Sequence, residues 1–63
     1  MNRMQRAYEV YDKYNNLREL LLKETLEKIK TSQSMKEVKK AEEEHKMKLE
    51  FLGRKMEEEY DSI

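Results

Sequence analysis

Four consecutive residues, Thr31-Ser32-Gln33-Ser34, are the one low-propensity break in an otherwise continuous run of helix formers. The chain has no proline and one glycine, Gly53. Glu, Lys, Leu, Met, Gln, Arg and Ala fill most positions, and all of them favour helix. Val, Ile, Thr and Phe are too sparse, and alternate too poorly, to argue for strands. The chain is therefore expected to be all-α, and its organisation turns on what happens at residues 31–34. Ser34-Met35-Lys36-Glu37 fits a capping box, in which the serine hydroxyl takes the Glu37 N–H and the Glu37 carboxylate reaches back to the Ser34 N–H. Asn2 followed by Gln5 is a weaker form of the same signal. These marks predict helix over about 3–30, a turn at 31–34 and a second helix over about 35–61, each roughly 40 Å long.

Apolar spacing supports both helices. The second carries Met35, Val38, Ala41, His45, Leu49, Leu52, Met56, Tyr60 and Ile63 at intervals of three or four. The first carries Met4, Ala7, Tyr11, Tyr14, Leu21, Leu22 and Ile29, widened by Tyr8, Val10, Leu17 and Leu26. That stripe covers more of the helix than one partner needs. An antiparallel hairpin is the favoured arrangement, with facing residues whose numbers sum to about 65 if the chain folds at its turn. Ile29 would then meet Met35, Leu26 would meet Val38, Leu17 would meet Leu49, and small Ala41 would lie opposite bulky Leu22. Arg3 and Arg6 would lie beside Glu57, Glu58, Glu59 and Asp61. The expected core is Tyr11, Tyr14, Leu21, Leu22, Ile29, Val38, Leu49, Leu52 and Met56.

The alternative is one long continuous coiled-coil helix. A seven-residue repeat does run in one register through Ala7, Val10, Tyr14, Leu17 and Leu21, then Met35, Val38, His45, Leu49, Leu52, Met56 and Ile63. The same register puts Glu24, Lys28 and Thr31 into the seam and leaves Leu22, Leu26 and Ile29 outside it. Those mismatches favour the hairpin.

A chain of 63 residues buries little surface, and small scaffolds without staples usually need a partner or a second copy. Apolar residues remain for one. Met47 and Phe51, one turn apart, lie off the main stripe of the second helix, and Leu17 and Leu20 lie off that of the first. These four are the expected protein interface. Two hairpins packed as a four-helix bundle would bury them, so a homodimer or higher oligomer is expected, or docking on a larger protein as adaptor, inhibitor or assembly subunit. Gly53 costs roughly 1 kcal/mol relative to alanine in a helix, and would suit a close approach by another helix.

Composition removes other classes. Lys and Arg number 14 and Asp and Glu number 14, so no net field draws in nucleic acid or an acidic membrane. Without cysteine there is no disulfide, thiolate cluster or thiol nucleophile. The longest apolar run is Leu20-Leu21-Leu22, too short to span a membrane. The basic N-terminal residues have no apolar stretch behind them, so no secretory leader is expected and the expected compartment is the cytoplasm. No phosphate loop or nucleophile elbow is present, and two helices offer no deep pocket, so neither an enzyme nor a cofactor site is expected.

Two constellations bear on ligands. Glu42 and His45 stand three apart on one helical face, a spacing similar to that of the ferritin-like di-metal carboxylate bundles, where other helices supply further carboxylates. The positions facing His45 are near Leu20 and Leu21, which argues for a seam histidine rather than a metal ligand. Lys28, Lys30, Lys36, Lys39 and Lys40 cluster at the turn end and are the better nucleic-acid candidates, diluted by Glu27 and Glu37. Tyr8, Tyr11 and Tyr14 with Arg3 and Arg6 offer a second, stacking arrangement. In length and architecture the expected hairpin is similar to the Rop-like dimeric hairpins that bind RNA, without a shared motif. Zero net charge leaves little counterion-release affinity for such a role.

Overall fold

The computed structural model describes residues 2–63. Two α-helices, α1 (Arg3–Thr31) and α2 (Met35–Asp61), pack side by side as an antiparallel hairpin. The helix ends fall within a residue of the sequence expectation, and the chain turns rather than running on as a rod. The particle measures 49 × 16 × 8 Å. Among the described residues no helix is long and apolar enough to cross a membrane.

Local hydrogen bonding explains the break. Thr31 Oγ1 donates to the Glu27 carbonyl at 3.0 Å, Ser32 Oγ to the Lys28 carbonyl at 2.6 Å, and the Ser32 N–H to the Ile29 carbonyl at 3.2 Å. The two Ser32 bonds take up carbonyls that the last turn of α1 would leave orphaned, and the Thr31 hydroxyl adds a back-bond to a carbonyl one turn earlier. Lys28 and Lys30 sit in that turn, at the negative end of the helix dipole. Ser34 is extended (φ −152°, ψ 159°), and its hydroxyl accepts the Glu37 N–H at 3.3 Å. The other half of the capping box differs from expectation. The Glu37 carboxylate accepts from the Gln33 N–H at 2.8 Å, because the extended serine presents the preceding amide over the first turn of α2. At the other end Asn2 Oδ1 caps α1 by accepting the Gln5 N–H at 2.7 Å.

The register is the main correction. Facing side chains pair Lys13 with Glu59, Arg18 with Met56, Thr25 with His45 and Lys28 with Glu44, so their numbers sum to 70–74 rather than 65. The linker is the cause. Extended Ser32 and Ser34 carry the chain up to about 10 Å beyond the end of α1 before α2 begins, roughly two helical turns. In this register Ala41 is level with Ile29, not Leu22. Met35 and Met4, at opposite ends of the hairpin, are strongly exposed. Glu59 pairs with Lys13 instead of Arg3 or Arg6.

The core is thin. Tyr14, Leu21, Thr25 and Ala41 are the buried residues. Ala7, Val10, Arg18, Ile29, Val38, His45, Leu49, Leu52 and Met56 continue the seam half-buried. Two expected core residues are not there: Tyr11 is 52% exposed and Leu22 48%. One partner helix covers only a narrow stripe, and the wide apolar arc of α1 exceeds it. Arg18 and Thr25 take seam positions instead. Each is accommodated by a partner: an Arg18 guanidinium nitrogen lies 3.8 Å from Met56 Sδ, and Thr25 Oγ1 lies 2.9 Å from His45 Nδ1. A buried hydroxyl is tolerated when it is hydrogen-bonded.

Candidate protein-binding surface

The hairpin has two broad sides, one on each flank of the seam. On one side α1 presents Lys13, Leu17, Leu20, Glu24 and Lys28, and α2 presents Glu44, Lys48, Phe51, Lys55 and Glu59, both at intervals of three or four. The outer members close this side by ion pairing, Lys13 with Glu59 at 2.7 Å and Lys28 with Glu44 at 3.4 Å. Between them Leu17, Leu20, Leu21, Leu52 and Phe51 line a shallow groove, with Glu24 and Lys48 at its edge. Leu20 is 57% exposed and Phe51 51%. Lys55 Nζ sits 5.5 Å from the Phe51 ring centroid and 3.5 Å from Glu58, so one face of the ring carries a cation.

Three of the four residues expected to form the protein interface thus come together in one groove. The fourth, Met47, is exposed one turn before Phe51 and does not line it.

Charge at the open end is organised around Glu59. One of its oxygens takes the Lys13 ammonium, while Oε2 is enclosed without a partner at full hydrogen-bonding geometry. The hydrogen bond from Lys13 holds the Glu59 carboxyl below its ordinary value, helped by a looser approach of the Tyr14 hydroxyl. The same approach to Glu59, then burial and the nearby charges of Glu59 and Glu58, push the Tyr14 hydroxyl up. Lys13 Nζ also lies 4.9 Å from the Tyr14 ring centroid. Tyr14 is consequently enclosed, and the expected three-tyrosine stacking surface is reduced to Tyr8 and Tyr11.

The other side carries no ion pair between the helices among the described residues; both such pairs belong to the groove side. It is built from Met4, Tyr8, Tyr11, Leu22 and Leu26 on α1, all exposed, with Leu49, Gly53 and Tyr60 continuing it on α2, where the exposed Glu42, Lys46 and Glu57 share the row. Arg3, Met4, Ala7, Tyr60 and Ile63 border one depression at its open end. Sequence reasoning placed Tyr11 and Leu22 in the core and so missed this face. The signal was present: a polar Thr25 within the stripe of Arg18 and Leu21 has His45 as its natural polar partner on α2, and that pairing turns Leu22 aside.

The ligand candidates separate. His45 faces Thr25, Glu42 is exposed, and no group of three metal-ligating side chains forms among the described residues. Lys36, Lys39 and Lys40 surround a shallow depression with Met35 and Glu43, whereas Lys28 is engaged by Glu44 and Lys30 lies on the last turn of α1. No protein-family model, curated protein or solved structure matches this chain.

Proposed function

We propose that the chain is a non-enzymatic protein-interaction module, a helical hairpin that works by laying an apolar side against another helical protein surface. It would do so by self-association, by docking on a larger protein as adaptor, inhibitor or assembly subunit, or both. The observation that carries the reading is the imbalance, among the described residues, between a core of four buried residues and ten large apolar side chains left exposed. Single exposed leucines are ordinary on a protein surface, but contiguous apolar faces mark contact surfaces. The concave features are shallow and open, which suits a partner's side chains better than an enclosed small molecule.

The test charges both sides at once. Leu22→Glu combined with Phe51→Glu should abolish self-association and any partner capture while helix content, read by circular dichroism, stays largely intact. A double variant that associates like the parent would refute the reading. The second reading, nucleic-acid binding, draws on the three lysines around the depression beside Met35. Retention of the chain on RNA at moderate salt would favour it, and a salt-independent lack of binding would remove it.

A further inference from the structure

We infer that the side without ion pairs, formed by Tyr8, Tyr11, Leu22 and Leu26 with Leu49, Gly53 and Tyr60, is covered by the same face of a second copy of this chain. The groove of Leu17, Leu20 and Phe51 then stays open on the outside of the resulting four-helix bundle. This deepens the protein-interaction reading above by naming the occupant and assigning the two sides different work.

Area identifies the occupant. A folded monomer of 7.8 kDa is expected to expose about 4,400 Å², and this hairpin exposes 5388 Å². The excess, about 1,000 Å² per chain, exceeds the roughly 800 Å² that each partner contributes to a standard stable interface. An isologous contact between two identical hairpins removes that excess from both chains with one symmetric patch.

Charge and backbone select the side. Closing the groove side against a second copy would desolvate the pairs Lys13–Glu59 and Lys28–Glu44, whose side chains remain about half exposed in the hairpin. The other side has no inter-helix pair to desolvate among the described residues, and its charged residues, Glu42, Lys46 and Glu57, all stand on α2. Equal numbers of acidic and basic residues remove net repulsion between copies. Gly53 adds a separate mark. It stands inside α2 where no neighbour within this chain requires a glycine, since a Cβ built there meets nothing within 4 Å. It lies in a shallow depression lined also by Glu50, Arg54, Met56, Glu57 and Glu58, room for a polar or basic side chain of the second copy.

Sedimentation velocity across a micromolar concentration series tests this on three proteins: the parent chain, Leu22→Glu and Phe51→Glu. The parent and Phe51→Glu should sediment as compact two-chain species, and Leu22→Glu should raise the dissociation constant roughly tenfold or more. Loss of the two-chain species by Leu22→Glu supports the inference when helix content, read by circular dichroism, is retained. Leu22 is half exposed in the single hairpin, where a glutamate would meet water. Leu26→Glu provides a second variant on the same side and should act alike. A parent that is one chain at every concentration would overturn the inference. So would dissociation by Phe51→Glu with Leu22→Glu unaffected, which would make the groove the dimer contact and leave the protein-interaction reading standing.

Discussion

The two sides of this hairpin flank the same seam and use the same residue types, yet they are finished differently. One is bounded by Lys13–Glu59 near the open end and Lys28–Glu44 near the turn, with an apolar groove between. The other is tyrosine, leucine and methionine on α1, faced on α2 by Leu49, Gly53 and Tyr60 among the charges of Glu42, Lys46 and Glu57, with no ionic closure between the helices among the described residues. Exposed ion pairs contribute little to stability, but their geometry favours one alignment of the helices over others. The paired side therefore reads as the part that sets register, and the unpaired side as the part left to be covered. Register and association would then be separable properties, which perturbations of the hairpin can test.

The largest effect is expected beneath both sides. Leu21 is buried in the seam and also forms the floor of the groove. Leu21→Ala should destabilise the fold by about 2–4 kcal/mol in chemical denaturation, through lost transfer energy and a cavity. Because so few residues are buried, that loss should be enough to unfold much of the population and blur the distinction between the sides. A change well below 1 kcal/mol would mean that Leu21 does not anchor the seam.

Next comes the turn. Ser34→Ala removes the acceptor for the Glu37 N–H and should lower stability by about 1 kcal/mol, with faster amide exchange in the first turn of α2. Both sides should loosen together near the turn. Selective loosening of one side would show that the linker, not the ion pairs, distinguishes them.

The smallest effect acts on the paired side alone. Glu59 is held below its ordinary value of 4.5, so its contribution to stability is complete above that pH and is lost as pH falls through the lower value of the folded chain. Tyr14 is pushed above its ordinary value of 10.0, so its contribution is complete below pH 10.0 and is lost as pH rises through the raised value. Thermal melts should show a modest decline at both extremes. Lys13→Met should remove most of the acid-side decline attributable to Glu59, since the leading cause of that shift is the lysine. An unchanged acid limb in this variant would show that the bridge does not set the carboxylate.

Much of this fold was legible in the residues. The two helices, the cap at Ser34 and the small buried Ala41 follow from propensity, capping chemistry and spacing. The register was not, because it depends on how far three linker residues extend, and propensity does not encode that distance. The choice of core residues failed at Tyr11 and Leu22 for a related reason. An apolar stripe wider than one partner's reach leaves its centre undetermined until a polar pair, here Thr25 with His45, fixes the rotation of α1. The groove was legible only in part: Leu17, Leu20, Met47 and Phe51 were singled out by lying off the main stripes, but which of them share one side depends on the rotation and register of the two helices, and Met47 falls outside.

If the two sides have different fates, association must shield one and leave the other open, and the absence of native cysteine allows this to be measured directly. Single cysteines placed by Leu22→Cys and by Phe51→Cys can be labelled with a thiol reagent at increasing protein concentration. Labelling at position 22 should slow as concentration rises while labelling at position 51 does not. Equal rates at all concentrations, or protection at position 51 alone, would contradict it.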